Sequence, residues 1–79
     1  MTNNEALTEY GTALGFILTY WDGPERDEDP NWWFKILTRE RNAWKELQMR
    51  GLLHSDEYED LILKTHRDAN SLRAVRRGK

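Results

Sequence analysis

Asp22-Gly23-Pro24-Glu25-Arg26-Asp27-Glu28-Asp29-Pro30 (residues 22–30) interrupts the 79-residue chain, and what flanks it decides the fold. Asp-Gly-Pro joins a turn dipeptide to a residue without a backbone N–H, so a helix arriving from upstream must stop there. Asp29-Pro30 is the opposite signal. The aspartate can accept from the first unpaired N–H groups of a helix, and proline is pre-set for the first helical position. Upstream, Leu7, Tyr10, Leu14, Ile17 and Trp21 recur at steps of three and four, a helical stripe. Thr2-x-x-Glu5 before it is the capping-box pattern. Ala6, Ala13, Phe16 and Tyr20 fill much of the remaining circumference. A helix apolar nearly all round is central in its bundle or covered by a partner. Gly11 and Gly15 each weaken the helix by about 1 kcal/mol relative to Ala, which predicts close packing on a neighbour. Residues 15–21 also hold types that favour sheets, but no second strand is available to pair with them.

Downstream of the break, Trp33, Ile36, Leu37, Ala43, Trp44 and Leu47 give a second helix one broad apolar face. Gly51 ends it as a left-handed residue, with Arg50 favoured by the negative end of the helix dipole. Ser55 caps a third helix, and Asp56 and Glu57 suit its positive end. Tyr58, Leu61, Ile62, Thr65, Ala69, Leu72 and Val75 form its stripe, which weakens toward the end. The expected fold is all-α: a small three-helix bundle. It forms one domain over 1–79, with helices at about 3–21, 30–50 and 55–76 and residues 22–29 as the longest irregular segment. Leu14, Ile17, Trp33, Leu37, Trp44, Leu47, Leu61 and Ile62 are the expected core. So short a chain buries only about 60 % of its unfolded surface, yet nine aromatics, four of them Trp, argue against disorder.

Within residues 44–64, Leu47-x-x-x-Gly51-Leu52-Leu53-x-Ser55-Asp56-Glu57-Tyr58-Glu59 resembles the short helical hairpin of SHOCT-type modules. Those are small, often terminal, interaction elements, so the resemblance implies a tight hairpin and an interaction role.

Charge is segregated along the chain although the net is only −2. Residues 22–29 carry a local −4 and residues 64–79 a local +5. With no cysteine there is neither a disulfide framework nor a thiolate metal site. The longest apolar stretch, residues 13–21, is far short of the roughly 20 needed to cross a bilayer. The first residues have neither the basic start nor the apolar run of a secretory signal, so a cytoplasmic protein without membrane contact is expected.

Catalysis is not expected. There is no Cys nucleophile, Gly-rich phosphate loop or His-Glu-x-x-His helix, and His54 and His66 match no ligand spacing. The acids of residues 22–29 lack the glycine and distal glutamate of a calcium loop, and Pro24 interrupts them. Negative charge ahead of a helix N-terminus explains them better, so no metal and no cofactor are expected. Leu47-x-x-x-Gly51 falls where a helix-turn-helix places its turn. However, the would-be recognition helix opens with Asp56, Glu57, Glu59 and Asp60, which would repel phosphate.

Two groups remain as candidate binding residues. Arg67, Arg73, Arg76, Arg77 and Lys79 could make an electrostatic contact, although cations also simply suit a helix C-terminus. Trp32-Trp33-Phe34 spans some 200° of a helix, so three rings cannot share one buried face. With Trp33 in the core and Trp32 flanking it, Phe34 falls on the wet side with Lys35, Thr38 and Arg41. The expected function is a non-enzymatic protein-interaction module, adaptor- or inhibitor-like, binding a partner protein or itself through Tyr20, Trp32 and Phe34. By composition alone it resembles phage and accessory-gene products. The alternative is a nucleic-acid-associated protein using the basic C-terminal helix.

Overall fold

The Glu5 N–H donates to the Thr2 hydroxyl at 3.1 Å, and the Thr2 N–H donates to the Glu5 carboxylate at 3.0 Å. This reciprocal cap opens helix α1, Asn3–Thr19, and holds the Glu5 carboxyl below its ordinary range. The computed structural model describes residues 1–77. Lys79 and the side chain of Arg77, both expected in the basic cluster, lie outside the described residues.

Pro24 does more than end α1. Its carbonyl accepts from the Asp27 and Glu28 N–H groups at 3.0 and 2.9 Å, starting a single helical turn, α2, Glu25–Glu28. The expected irregular segment is therefore corrected to a turn, α2 and a one-residue joint. At that joint, Asp29 Oδ1 accepts from the Trp32 N–H at 3.1 Å, and Pro30 takes the first position of α3, Pro30–Met49. Gly51 adopts φ 70°, the left-handed conformation that ends the helix. A 3-10 turn, Leu52–His54, leads to Ser55, whose hydroxyl accepts from the Tyr58 N–H at 3.2 Å to open α4, Asp56–Arg77. No strand forms among the described residues, and the architecture is a small all-α bundle of three long helices.

Helix α1 is the central element, packing against both α3 and α4, while the 3-10 turn joins the other two. Its apolar circumference is thus used on two sides. The buried centre is Ala6, Leu7 and Tyr10 of α1 with Ala43 and Leu47 of α3, walled by Leu14, Trp44, Leu52, Tyr58, Leu61 and Ile62 among others. Gly11 permits a close approach to α4: a Cβ there would lie 2.8 Å from Leu61 Cδ1. Gly15 faces Thr65 with ordinary spacing, 3.7 Å to its Cγ2. Arg50 serves the fold beyond its dipole role. Its guanidinium donates to Glu46 at 2.7 Å, Asn3 Oδ1 at 2.9 Å and the Met1 carbonyl at 2.6 Å, tying the N-terminus to the end of α3.

Several positions of the expected core and of the helical stripes need correction. The buried face of α3 runs through Ile36, Ala43 and Leu47. At 100° per residue, Trp33, Leu37 and Trp44 lie roughly 80° around from it. Leu37 is consequently 36 % exposed, and Trp33 and Trp44 are half-buried shoulders. Trp21 is 53 % exposed because α1 ends at Thr19 and Trp21 belongs to the turn beyond. On α4, Leu72 and Val75 are exposed, and beyond Ala69 the half-buried positions belong to Arg73 and Arg76.

Burial pushes the Tyr10 phenol well above its ordinary range, with hydrogen bonding to Tyr58 and the nearby Glu40 carboxylate acting in the same direction. A group whose folded pKa is raised contributes stability that is fully present below its unfolded value, about 10 for tyrosine. That contribution is lost as pH rises from there toward the folded value. Denaturant titrations from pH 9 upward should show stability falling more steeply in the native protein than in Tyr10→Phe, which has no phenol to ionise. Equal slopes would mean that Tyr10 is not sealed in the core.

Candidate interaction site

Every aromatic ring contact outside the Tyr10–Tyr58 pair gathers at one end of the bundle, where α1 ends and α3 begins. Phe16 of α1 and Tyr20, the C-cap residue one turn later, stack with centroids 6.3 Å apart. Tyr20 meets Trp32 edge to face at 5.6 Å, and Trp32 continues to Trp33 at 6.2 Å. Trp33 in turn contacts Trp21 of the turn at 6.1 Å. The antiparallel arrangement of α1 and α3 produces this continuous run by placing residues 16–21 beside 32–33.

Two arginines sit on the run. The Arg26 guanidinium lies 5.7 Å from the Trp21 ring and 6.0 Å from the Trp33 ring. Arg76 lies over Tyr20 at 4.6 Å. Both arrangements are favourable because the ring face carries negative charge density. Arg76 also donates to the Thr19 carbonyl at 3.0 Å and to Glu25 at 2.5 Å, and Arg73 donates to Asp22 at 2.8 Å. The C-terminal end of α4 thereby caps the C-terminal end of α1 and clamps the acidic loop over both. The cation placed there also suits the negative end of the α1 dipole.

These contacts change the standing of the basic cluster. Arg73 and Arg76 are half-buried and engaged within the chain, leaving Arg67 as the exposed, unpaired arginine of the expected set among the described residues. Two of the acids of residues 22–29, Asp22 and Glu25, are thereby paired with Arg73 and Arg76 of α4. The three aromatics singled out in sequence are only partly brought together. Tyr20 and Trp32 touch and are half-buried, whereas Phe34 points away, 69 % exposed and packed on no other ring among the described residues.

Phe16, Trp21 and Arg26 belong to the site and were not singled out as binding residues. The signal for Phe16 was available, since it stands one turn before Tyr20. Phe16 and Tyr20 also edge a shallow groove between α1 and α4, with Gly15, Ala69 and Leu72 among its lining. Among the described residues no three metal-donor side chains gather, and no helix is long and apolar enough to cross a membrane. Comparison with protein-family models, curated proteins and solved structures finds no match to this chain.

Proposed function

We propose that this chain is a non-enzymatic protein-interaction module that binds a partner protein or a second copy of itself through the aromatic surface of α1 and α3. The observation that carries this reading is Phe34, a large ring left 69 % exposed on a long helix whose other face supplies the core. Trp21, 53 % exposed beside Trp33, extends the apolar surface at the same end. Large aromatics of this kind are the residues most enriched at binding hot spots. The SHOCT-like hairpin of residues 44–64 and the adaptor- or inhibitor-like role belong to the same reading, as does a cytoplasmic setting.

The nucleic-acid alternative has less to draw on, because Arg73 and Arg76 are engaged by Asp22, Thr19 and Glu25. Any such contact would fall to Arg67, Arg77 and Lys79, with Asp68 next to Arg67 in the sequence opposing it.

Affinity capture from the native host tests the reading, comparing the native chain with Phe34→Ala at two salt concentrations. Proteins that co-purify with the native chain should be lost or reduced with Phe34→Ala, while the melting temperature stays within about 2 °C. A truncated hot spot weakens binding by at least about 1–2 kcal/mol and leaves the fold intact. Capture that is indifferent to Phe34 and collapses with salt would transfer the function to the basic helix instead.

A further inference from the structure

We propose that Asp22 is a site of covalent modification. Its side-chain carboxyl and the Gly23 nitrogen close to a succinimide that reopens as isoaspartate, and the arginine contacts from α4 hold that reaction off while they are made.

Asp22-Gly23 is the one place in the chain where an aspartate or asparagine precedes a glycine. Glycine matters there because a side chain on the following residue hinders its backbone nitrogen as a nucleophile, and glycine has none. The remaining candidates are closed off by the fold. Every other aspartate and asparagine except Asp29 lies in a helix, whose regular backbone resists closing the ring. Asp29 precedes Pro30, whose nitrogen has no hydrogen to give up, and its carboxylate caps the Trp32 N–H. Asp22 by contrast stands in the turn between α1 and α2, open to water.

The reaction balances with water alone. The Gly23 nitrogen bonds to Cγ of Asp22, while the hydrogen it carried and the carboxyl OH leave as water. Water then adds to one of the two carbonyls of the resulting imide. Addition at the former side-chain carbonyl restores aspartate. Addition at the former main-chain carbonyl leaves the chain running through Cγ. In that isoaspartate the backbone is longer by a methylene, and the free carboxylate sits directly on Cα.

Both reacting groups are held. The Gly23 N–H donates to the Tyr20 carbonyl at 3.2 Å, and Arg73 donates to Oδ2 of Asp22 at 2.8 Å. Drawing Cγ onto the nitrogen gives up both contacts. The glycine, moreover, cannot be exchanged for a less reactive neighbour without disturbing the same corner. A Cβ at position 23 would overlap Glu25 Oε2 and lie 3.0 Å from Arg76 Nη2, and these two residues form the second ion pair. The clasp therefore requires the labile pair of residues and shields it. Because the chemistry is slow beside the opening of a surface loop, its rate follows the fraction of time the loop is open. Isoaspartate no longer places its carboxylate where Arg73 meets it. Modification is thus a slow loosening of the pole of the bundle where Tyr20 and Trp21 stand.

Ageing the chain in neutral buffer at physiological temperature tests the proposal. Isoaspartate is read by peptide mapping with electron-transfer fragmentation, and by methyl transfer from an isoaspartyl carboxyl methyltransferase. Four samples are compared: the native chain folded, the native chain unfolded in guanidinium chloride, Arg73→Ala, and Asp22→Glu, whose ring would need an extra carbon. The unfolded chain should accumulate isoaspartate at position 22 ahead of every other site, the folded chain more slowly, and Asp22→Glu none there. Arg73→Ala should react about 1.5–5-fold faster than the folded native chain, the change that a partly exposed ion pair makes in loop opening. The isoaspartyl fraction of the aged chain should melt below the fresh protein, as Asp22→Ala does. An unfolded chain that keeps Asp22 intact overturns the assignment of the site. A folded chain that reacts as fast as the unfolded one, or Arg73→Ala no faster than native, overturns the shielding. Circular dichroism confirms that Arg73→Ala keeps its helices. Should it unfold, raised ionic strength decides the matter in the native chain, since screening the ion pair must speed the reaction.

Discussion

Leu47→Ala is expected to lower stability by about 2–5 kcal/mol, the range for emptying a buried leucine site that cannot fully collapse. Leu47 is the largest fully buried side chain, at 0 % exposure, and it stands where α3 meets Ala6, Leu7 and Tyr10 of the central helix. A chain of this size has about 0.05–0.15 kcal/mol of stability per residue to lose, roughly 4–12 kcal/mol in all. Each 1 kcal/mol moves the melting temperature of such a domain by about 4–8 °C. Thermal melting should therefore fall by at least about 8 °C and, at the upper end of the range, leave much of the population unfolded at physiological temperature. A drop below about 5 °C would mean that the core is centred elsewhere. Trp44→Ala should cost less than its size suggests, because the ring is half-buried and lines an open cleft with Tyr10, Glu40 and Arg41.

Arg76→Ala is the second large effect, at about 1–2 kcal/mol. The loss has three parts: a donor to the last carbonyl of α1, the ion pair with Glu25, and the guanidinium over Tyr20. A hydrogen bond involving a charged group contributes around 1.5–3 kcal/mol. Here both Arg76 and Glu25 remain more than a third exposed, at 34 % and 39 %, and solvent screening lowers the ion-pair share. Glu25 would also keep a carboxylate whose Oε2 already has no partner. Arg76→Lys should rescue little, since one ammonium cannot serve the Thr19 carbonyl, the carboxylate and the ring face together. Chemical denaturation of the three proteins decides it. Full rescue by lysine would reduce the contact to simple charge.

The helices were legible because their ends are written locally. Thr2 with Glu5, Asp29 with Pro30, Gly51 and Ser55 each form the cap their residue types imply, and a cap depends on neighbours within four residues. The rotation of α3 was harder to read. Trp33, Leu37 and Trp44 form as regular a stripe as Ile36, Ala43 and Leu47, and side-chain size favoured the wrong one. What decided between them is the seam with α1, where Ala43 and Leu47 join Ala6, Leu7 and Tyr10 in the buried cluster and Trp44 stands at its edge. The inward turn of Arg73 and Arg76 is a tertiary matter. Even so, an up-down-up order of three helices puts the ends of α1 and α4 at the same pole, where Arg73 and Arg76 meet Asp22 and Glu25.

The arginine clasp has a consequence for the time course of folding. Its bonds join residues 51 and 57 apart in sequence, whereas the caps and the hairpin turn close within a few residues. Contacts with so long a loop to close are expected to form after the local caps and helices. An interaction absent from the transition state acts on the exit rate from the native state and leaves the entry rate nearly unchanged. The acidic loop and the last turns of α4 thus work as a latch: they set how long the native molecule persists once made, and scarcely how quickly it is made.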